Sequence, residues 1–252
     1  MAIYHLSIKI ISRGKGRSAV AAAAYRAGER ITNSYDGITH DYTRKGGVAH
    51  TEILLPEHAP PEYADRATLW NAVELAERNK NAQLAREIEL VLPVELTQEQ
   101  NQQLVYDYCQ RNFVAAGMCA DICIHDKEDG NPHAHVMLSM RPIEPGGGWG
   151  AKSKKEYILD ENGQLIRLPS GSYKTRKVSA VDWNEHTKVE KWRAAWAESA
   201  NVALEQKGHT ARIDHRSYER QGVEQIPTVH LGVAAFQMER RGIQTESETE
   251  TG

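Results

Sequence analysis

The sequence predicts an α+β fold, on two positive observations and one absence. Segments with strand patterning alternate along the chain with segments of helical period. Turn-rich stretches join neighbouring strands in the manner of antiparallel hairpins. No segment repeats elsewhere in the chain, so solenoid and propeller architectures have no support.

The elements follow in order. Ile3 to Ile11 mixes isoleucines and Leu6 with polar residues and predicts a first strand. A basic turn, Arg13-Gly14-Lys15-Gly16-Arg17, leads to Ser18, which caps an alanine-rich helix from Ala19 to about Arg30. Residues 33–50 read as loop or hairpin, and Glu52 to Leu55 as a short strand stopped by Pro56. Asp65 to about Ala85 has helical spacing, with Leu69, Trp70, Val73, Leu75 and Ala76 on its apolar face. Arg86 to Leu92 alternates and predicts a strand ending at Pro93.

Thr97, with Glu99 and Gln100 behind it, starts a helix that stops near Gly117. Asp121 to His125 and Ala134 to Met140 read as strands joined by the turn-rich 126–132 segment. Residues 144–181, rich in glycine and lysine, predict a mobile loop or hairpin. A helix from Trp183 to about Gln206 ends before Gly208. Beyond Arg212 the patterning weakens, and Thr245 to Gly252 is polar, acidic and expected to be disordered.

A chain of 252 residues can form one large domain, or one domain with a tail. At 40% hydrophobic and 26% charged residues, it has the composition of a globular protein. A net charge of -3 does not mark a nucleic-acid binder, but the charge is uneven. Residues 1–50 and 141–193 are net basic, whereas 51–140 are strongly acidic. Two basic blocks can share one face, or each can be ordinary solvated surface. The three cysteines, Cys109, Cys119 and Cys123, form no CxxC and suit free, buried thiols in a reducing cytoplasm. The N-terminal residues do not read as a signal peptide, and no apolar run reaches membrane-span length, so no membrane insertion is expected.

The chemistry concentrates in His133-Ala134-His135 and in His125 before it. Alternate residues of a strand share a face, so His133 and His135 present two imidazoles side by side. A hairpin would bring His125 alongside, making three imidazoles that can bind a divalent ion with positions left open. On the 86–92 strand, Glu87 and Glu89 share a face and could each stand beside such an ion, or lie on a solvated surface. Tyr25 is a candidate nucleophile. A phenol titrates near pH 10, so its attack at neutral pH needs a cation at the reacting phosphate. A tyrosine in a helix is otherwise a packing residue. The small residues Ala22, Ala23, Ala24 and Ala27 would let a DNA backbone approach this helix.

Several ordered motifs carry a resemblance. They are Met1-Ala2-Ile3-Tyr4-His5, Ser18-Ala19-Val20, Ala24-Tyr25-Arg26-Ala27, Asp41-Tyr42, Glu52-Ile53-Leu54-Leu55-Pro56 and Ala85-Arg86-Glu87-Ile88. His125 with Asn131-Pro132-His133-Ala134-His135, then Trp192-Arg193, Asp214-His215-Arg216-Ser217 and Met238-Glu239-Arg240-Arg241-Gly242-Ile243, continue the series. Together they resemble the MobA/MobL conjugative relaxases, a branch of the HUH endonucleases.

The resemblance implies a central antiparallel sheet that carries the histidines, flanked by helices, with the tyrosine helix facing it. It makes Tyr25 the nucleophile, His125, His133 and His135 the metal ligands, and Glu87 the acidic residue beside the metal. Glu87 is preferred to Glu89 because it alone occupies the Ala-Arg-Glu-Ile position. The implied ion is Mg2+ or Mn2+, although imidazoles also hold Zn2+ or Ni2+ well. The implied partners are single-stranded origin-of-transfer DNA and other relaxosome and conjugation proteins, in a bacterial cytoplasm.

Arg13, Lys15 and Arg17 could hold phosphates. Lys152, Lys154, Lys155, Arg167, Lys174, Arg176 and Lys177 could form a basic arm over DNA, or merely a solubilising loop. The catalytic domain is expected over residues 1–212, with the basic segment 144–181 inside it, and a C-terminal extension over 213–244. The resemblance further implies that the chain is the N-terminal part of a longer protein with a helicase or primase region.

Three other readings share part of this site: a rolling-circle replication initiator, a hydrolytic metal-dependent nuclease in which Tyr25 is structural, and a non-catalytic DNA-binding module with a structural metal. In replication initiators the tyrosine usually follows the histidines, whereas here it precedes them.

Overall fold

A computed structural model describes residues 3–222. Its elements run β1 (Leu6–Ser12), α1 (Ala19–Ala27), β2 (Arg30–Thr32), β3 (Thr39–Asp41), β4 (Val48–Leu54), α2 (Arg66–Ala76) and β5 (Gln83–Val91). Then come α3 (Gln98–Asn112), β6 (Ala120–His125), β7 (His133–Ser139), β8 (Ser153–Tyr157), β9 (Thr175–Ser179), α4 (His186–Gln206) and α5 (Tyr218–Gln221). The chain divides into two compact units, Met1–His215 and Arg216–Gly252. The second contributes α5 to the described residues; the Met238–Ile243 motif and the acidic tail lie outside them.

The first unit is α+β. Its central sheet has the order β1-β5-β7-β6-β4, with every neighbouring pair antiparallel. Cross-strand partners share a face, so the register sorts the side chains. Rows such as Leu90-Ala134-Ile124 and Ile88-Val136-Ile122 are buried with Leu104, Tyr108, Trp192 and Trp196 of α3 and α4. The intervening rows are Glu87-Met137-Asp121, Glu89-His135-Cys123 and Val91-His133-His125. Met137 and Ala85 on this second face pack with the apolar residues of α1 and α2. Polar side chains gather where the strands run towards Val91 and His133.

Helix α1 is anchored at its N-terminus. The Ser18 hydroxyl accepts from the Ala21 N–H and donates to Glu74 Oε1 at 2.7 Å. The Ala19 N–H donates to the same oxygen at 2.8 Å. A buried carboxylate there complements the helix dipole. Gly28, with φ at 68°, ends the helix in the left-handed conformation that glycine adopts without steric cost.

Ala19, Ala23, Ala24 and Ala27 are buried. This corrects the expectation that Ala23, Ala24 and Ala27 make room for DNA: they let the helix pack closely on the protein itself, and Ala22 is half-buried. Helix α2 stops at Ala76, well short of Ala85, because Gln83 to Ala85 pair with Ile11 and Ser12 of β1. Leu75, assigned above to its apolar face, is 57% exposed. The 144–181 segment forms a β8–β9 hairpin.

Candidate metal and nucleophile site

His125 closes β6, and His133 and His135 open β7. One ligand atom from each lies within 4.8 Å of the other two, a set that could hold a metal ion. Each ring also has a nitrogen turned to an acceptor outside the cluster. His125 Nε2 lies 2.7 Å from the Arg26 carbonyl oxygen, His133 Nδ1 3.0 Å from the Asn131 carbonyl oxygen and His135 Nδ1 2.9 Å from Glu87 Oε1. Acceptors of this kind fix the tautomer and keep the second nitrogen's lone pair available to a ligand, so the donor set fits a metal ion.

Glu87 is 3% exposed and lies under the triad. The Arg26 guanidinium grips both its oxygens, Nε to Oε1 at 2.6 Å and NH2 to Oε2 at 2.5 Å. Burial alone would raise this carboxyl, but the hydrogen bond from His135 and the charge of Arg26 outweigh it and hold the pKa at about 2. Glu89, on the same face, turns to Lys9 instead, at 3.0 Å.

Tyr25 projects from α1 with half its surface exposed. The Tyr42 ring meets it edge-on with centroids 5.2 Å apart, and Lys45 Nζ sits 4.3 Å from its ring centre. The same Nζ is 3.1 Å from His125 Nε2. Burial lowers the Lys45 pKa to about 8, with neighbouring Arg26 and Lys127 adding to the fall. Tyr25 is therefore linked to the histidines through Arg26, whose carbonyl oxygen accepts from His125 Nε2, while Lys45 lies close to both the tyrosine ring and that nitrogen.

Comparison with known proteins bears on this site. The sequence model described as the MobA/MobL family matches residues 17–241. The chain belongs to the MobA/MobL family.

Among its relatives, "Mobilization protein MobL" of Acidithiobacillus ferridurans is 41% identical over 96% of this chain and 65% of its own length. "Probable mobilization protein MobA" of Bifidobacterium longum is 41% identical over 96% of this chain and 45% of its own length. The chain thus spans about half to two thirds of these two relatives. A solved structure reported under "Molecular Basis of Vancomycin Resistance Transfer in Staphylococcus aureus" superposes with a TM-score of 0.74 at 31% identity, covering 86% of this chain and all of that one.

The basic residues of this MobA/MobL chain divide by environment. Arg13 is engaged in the fold: its guanidinium donates to the Glu77 carbonyl oxygen at 2.6 Å and pairs with Glu74 at 3.0 Å. It holds the start of α1 rather than presenting a free cation. Lys15 and Arg17 are exposed. Lys152 roots the hairpin on the core, 2.7 Å from the buried Glu77 and 2.5 Å from the Gln83 carbonyl oxygen. Arg176 pairs with Glu156 at 2.6 Å, and Arg167 stacks over Tyr173. Lys154, Lys155, Lys174 and Lys177 are exposed. Gln83 and Glu89, which pairs with His135, are six residues apart on one strand, so the hairpin root lies roughly 20 Å along β5 from the triad.

Neither Arg26 nor Lys45 stands out in the sequence as a site residue. Arg26 had one visible clue, its place directly after the candidate nucleophile. Lys45 had none.

The protonation of the site predicts a two-step acid response in metal-free buffer. Burial lowers the His125 pKa to about 4, with the Arg26 carbonyl opposing and Lys45 adding to the fall. A histidine kept neutral in the fold loses stability as pH drops from its unfolded value near 6.5 through about 4, because the unfolded chain takes up the proton first. Glu87, depressed to about 2, loses its contribution as pH falls from 4.5 towards that value. Thermal melts in EDTA across pH 7 to 2 should fall in that order. His125→Asn should flatten the first stage and Glu87→Gln the second. Unchanged curves in both variants would contradict these assignments.

Proposed function

We propose that this chain is the nicking domain of a plasmid mobilisation relaxase, which cuts and rejoins one strand of origin-of-transfer DNA through Tyr25. The observation that carries the reading is Arg26. The residue beside the nucleophile contacts His125 through its carbonyl oxygen and Glu87 through its guanidinium, so the tyrosine and the metal seat form one unit. Relatives named mobilization proteins support the biological setting.

In this reading His125, His133 and His135 hold a divalent ion, with Mg2+ or Mn2+ as the working ion. When bound, the ion supplies charge neutralisation at the phosphate oxygens and makes phosphorus a better electrophile. Glu87 orients His135 and balances Arg26. The Tyr25 hydroxyl oxygen attacks phosphorus. The bond to the 3′ oxygen breaks, the phenol gives up its proton and the 3′ oxygen takes one up, so the 3′-hydroxyl leaves and the 5′-phosphate remains on tyrosine. One phosphoester replaces another, so a returning 3′-hydroxyl can reverse the step and close the strand. Lys15 and Arg17 beside α1, and Lys154, Lys155, Lys174 and Lys177 on the hairpin, would contact DNA phosphates at a distance from the cut.

The test is a denaturing gel of wild type and Tyr25→Phe with single-stranded DNA from the cognate plasmid's origin and Mn2+. The expected result is a metal-dependent protein–DNA adduct in the wild type and none in Tyr25→Phe. Cutting without an adduct, equally fast in both proteins, would mean that water is the nucleophile and would overturn the proposal.

A further inference from the structure

The turn that follows β3 brings two side chains to the Tyr25 ring. The Lys45 N–H donates to the Tyr42 carbonyl oxygen at 2.9 Å, closing the turn. Tyr42 meets the ring by its edge and Lys45 by its face. The turn is tied in its own right to the strand that ends in His125: the Asp126 N–H donates to the Gly47 carbonyl oxygen at 2.9 Å. At Gly47, φ is 80° and a Cβ would come within 2.8 Å of Lys127, so glycine lets the two segments approach.

The charge at this point is unbalanced. Arg26 is neutralised by Glu87, whereas Lys45 makes no ion pair with a carboxylate among the described residues. Its ammonium lies 3.1 Å from His125 Nε2, so it stands between the ring and the triad. Beside it lies an open surface hollow lined by Tyr25, Lys45, Gly46, Gly47, Asp126, Lys127 and Glu128. A compact ammonium on a flexible stem is suited to pairing with a phosphate.

We propose that Lys45 is a positioning residue for the cleavage step: it holds the face of the Tyr25 ring and sets a positive charge between that ring and the histidines, where the reacting phosphate enters. The proposal rests on the reading of Tyr25 as nucleophile and the histidines as metal seat. It has two consequences. An aromatic face attracts a cation only modestly at a half-exposed ring, so the phosphate can draw the ammonium towards itself as DNA arrives. A fixed cation beside a divalent ion repels it, so in the absence of DNA Lys45 weakens metal binding.

The experiment compares the wild-type chain with Lys45→Met, Lys45→Arg and Tyr25→Phe. Mn2+ affinity is measured by calorimetry without DNA, and adduct formation in a single turnover at saturating origin DNA. Lys45→Met should bind Mn2+ about tenfold more tightly yet form the adduct about 100-fold more slowly at saturating DNA, a loss larger than the few-fold fall in DNA affinity that removal of one phosphate contact brings. Lys45→Arg should recover most of the rate, which a loss of packing alone would not explain. Circular dichroism establishes that the variants are folded. Lys45→Met with wild-type Mn2+ affinity and a wild-type rate would overturn the proposal, as would Lys45→Arg being as slow as Lys45→Met. A wild type that cuts without a Tyr25 adduct removes the relaxase reading, and this proposal with it. A wild type that forms the adduct beside an equally fast Lys45→Met removes Lys45 alone.

Discussion

Replacing His135 by alanine is expected to weaken Mn2+ binding by more than about 100-fold, a larger loss than any change to the residues that support the triad. The expectation follows from position. His135 is the central residue of a row across three strands, paired with Glu89 on one side and Cys123 on the other. Its ring lies 4.8 Å from that of His125 and 5.1 Å from that of His133. Removing it leaves two imidazoles and strands the buried Glu87 with Arg26 alone.

Glu87→Ala should be milder, about 10- to 100-fold, because it leaves all three imidazoles and removes the acceptor that orients His135 together with the counterion of Arg26. Calorimetric titration with Mn2+ measures both. If His135→Ala kept an affinity within threefold of wild type, the triad would not be the metal seat.

Asp121→Ala should cost the fold about 3–5 kcal/mol, because it removes the buried partner of Arg66 and leaves that guanidinium with only the more exposed Glu29 as counterion. Asp121 is 1% exposed and Arg66 is 7% exposed. Its carboxylate accepts from Arg66 Nε at 2.9 Å, from Arg66 NH2 at 2.9 Å and from the Trp70 indole N–H at 2.8 Å. Burial works against the charge of Arg66, but hydrogen bonding to Asp121 prevails and raises its pKa. This carboxylate therefore ties α2 to β6 four residues before His125.

With a domain of this size, a loss of that order lowers Tm by roughly 10 °C. Differential scanning calorimetry of the metal-free protein measures it. A shift below about 2 °C would mean that Glu29, which also pairs with Arg66, is a sufficient counterion.

Local pattern carried much of the fold. The Thr97 cap with Gln100 in the first turn forms as a reciprocal capping box. Ser18 caps α1, and Gly28 stops it earlier than the alanine run alone implied. Pattern failed where a neighbour in space overrode it. Helical spacing continues past Ala76, yet pairing with β1 draws Gln83 to Ala85 into the sheet. Alternation places Arg86 on the apolar face of β5, where polarity alone would not put it. There its NH2 donates to Asn184 at 2.5 Å and its guanidinium lies over Trp192, with burial pulling its pKa down to about 10.

The α+β class and the shared face of His133 and His135 follow from the sequence alone. Both are consequences of short-range geometry: a strand repeats every two residues and a helix about every 3.6. The same geometry put Glu87 and Glu89 on one face but could not choose between them. Family resemblance favoured Glu87; in the structure, Arg26 reaches it from 61 residues away, while Lys9 takes Glu89. His125 meets the Arg26 carbonyl across 99 residues and Lys45 across 80. Contacts at such separations depend on how α1 and the turn after β3 pack against the sheet. Residue period carries no information about that packing, so the surroundings of the tyrosine and histidines became visible only once the chain was folded.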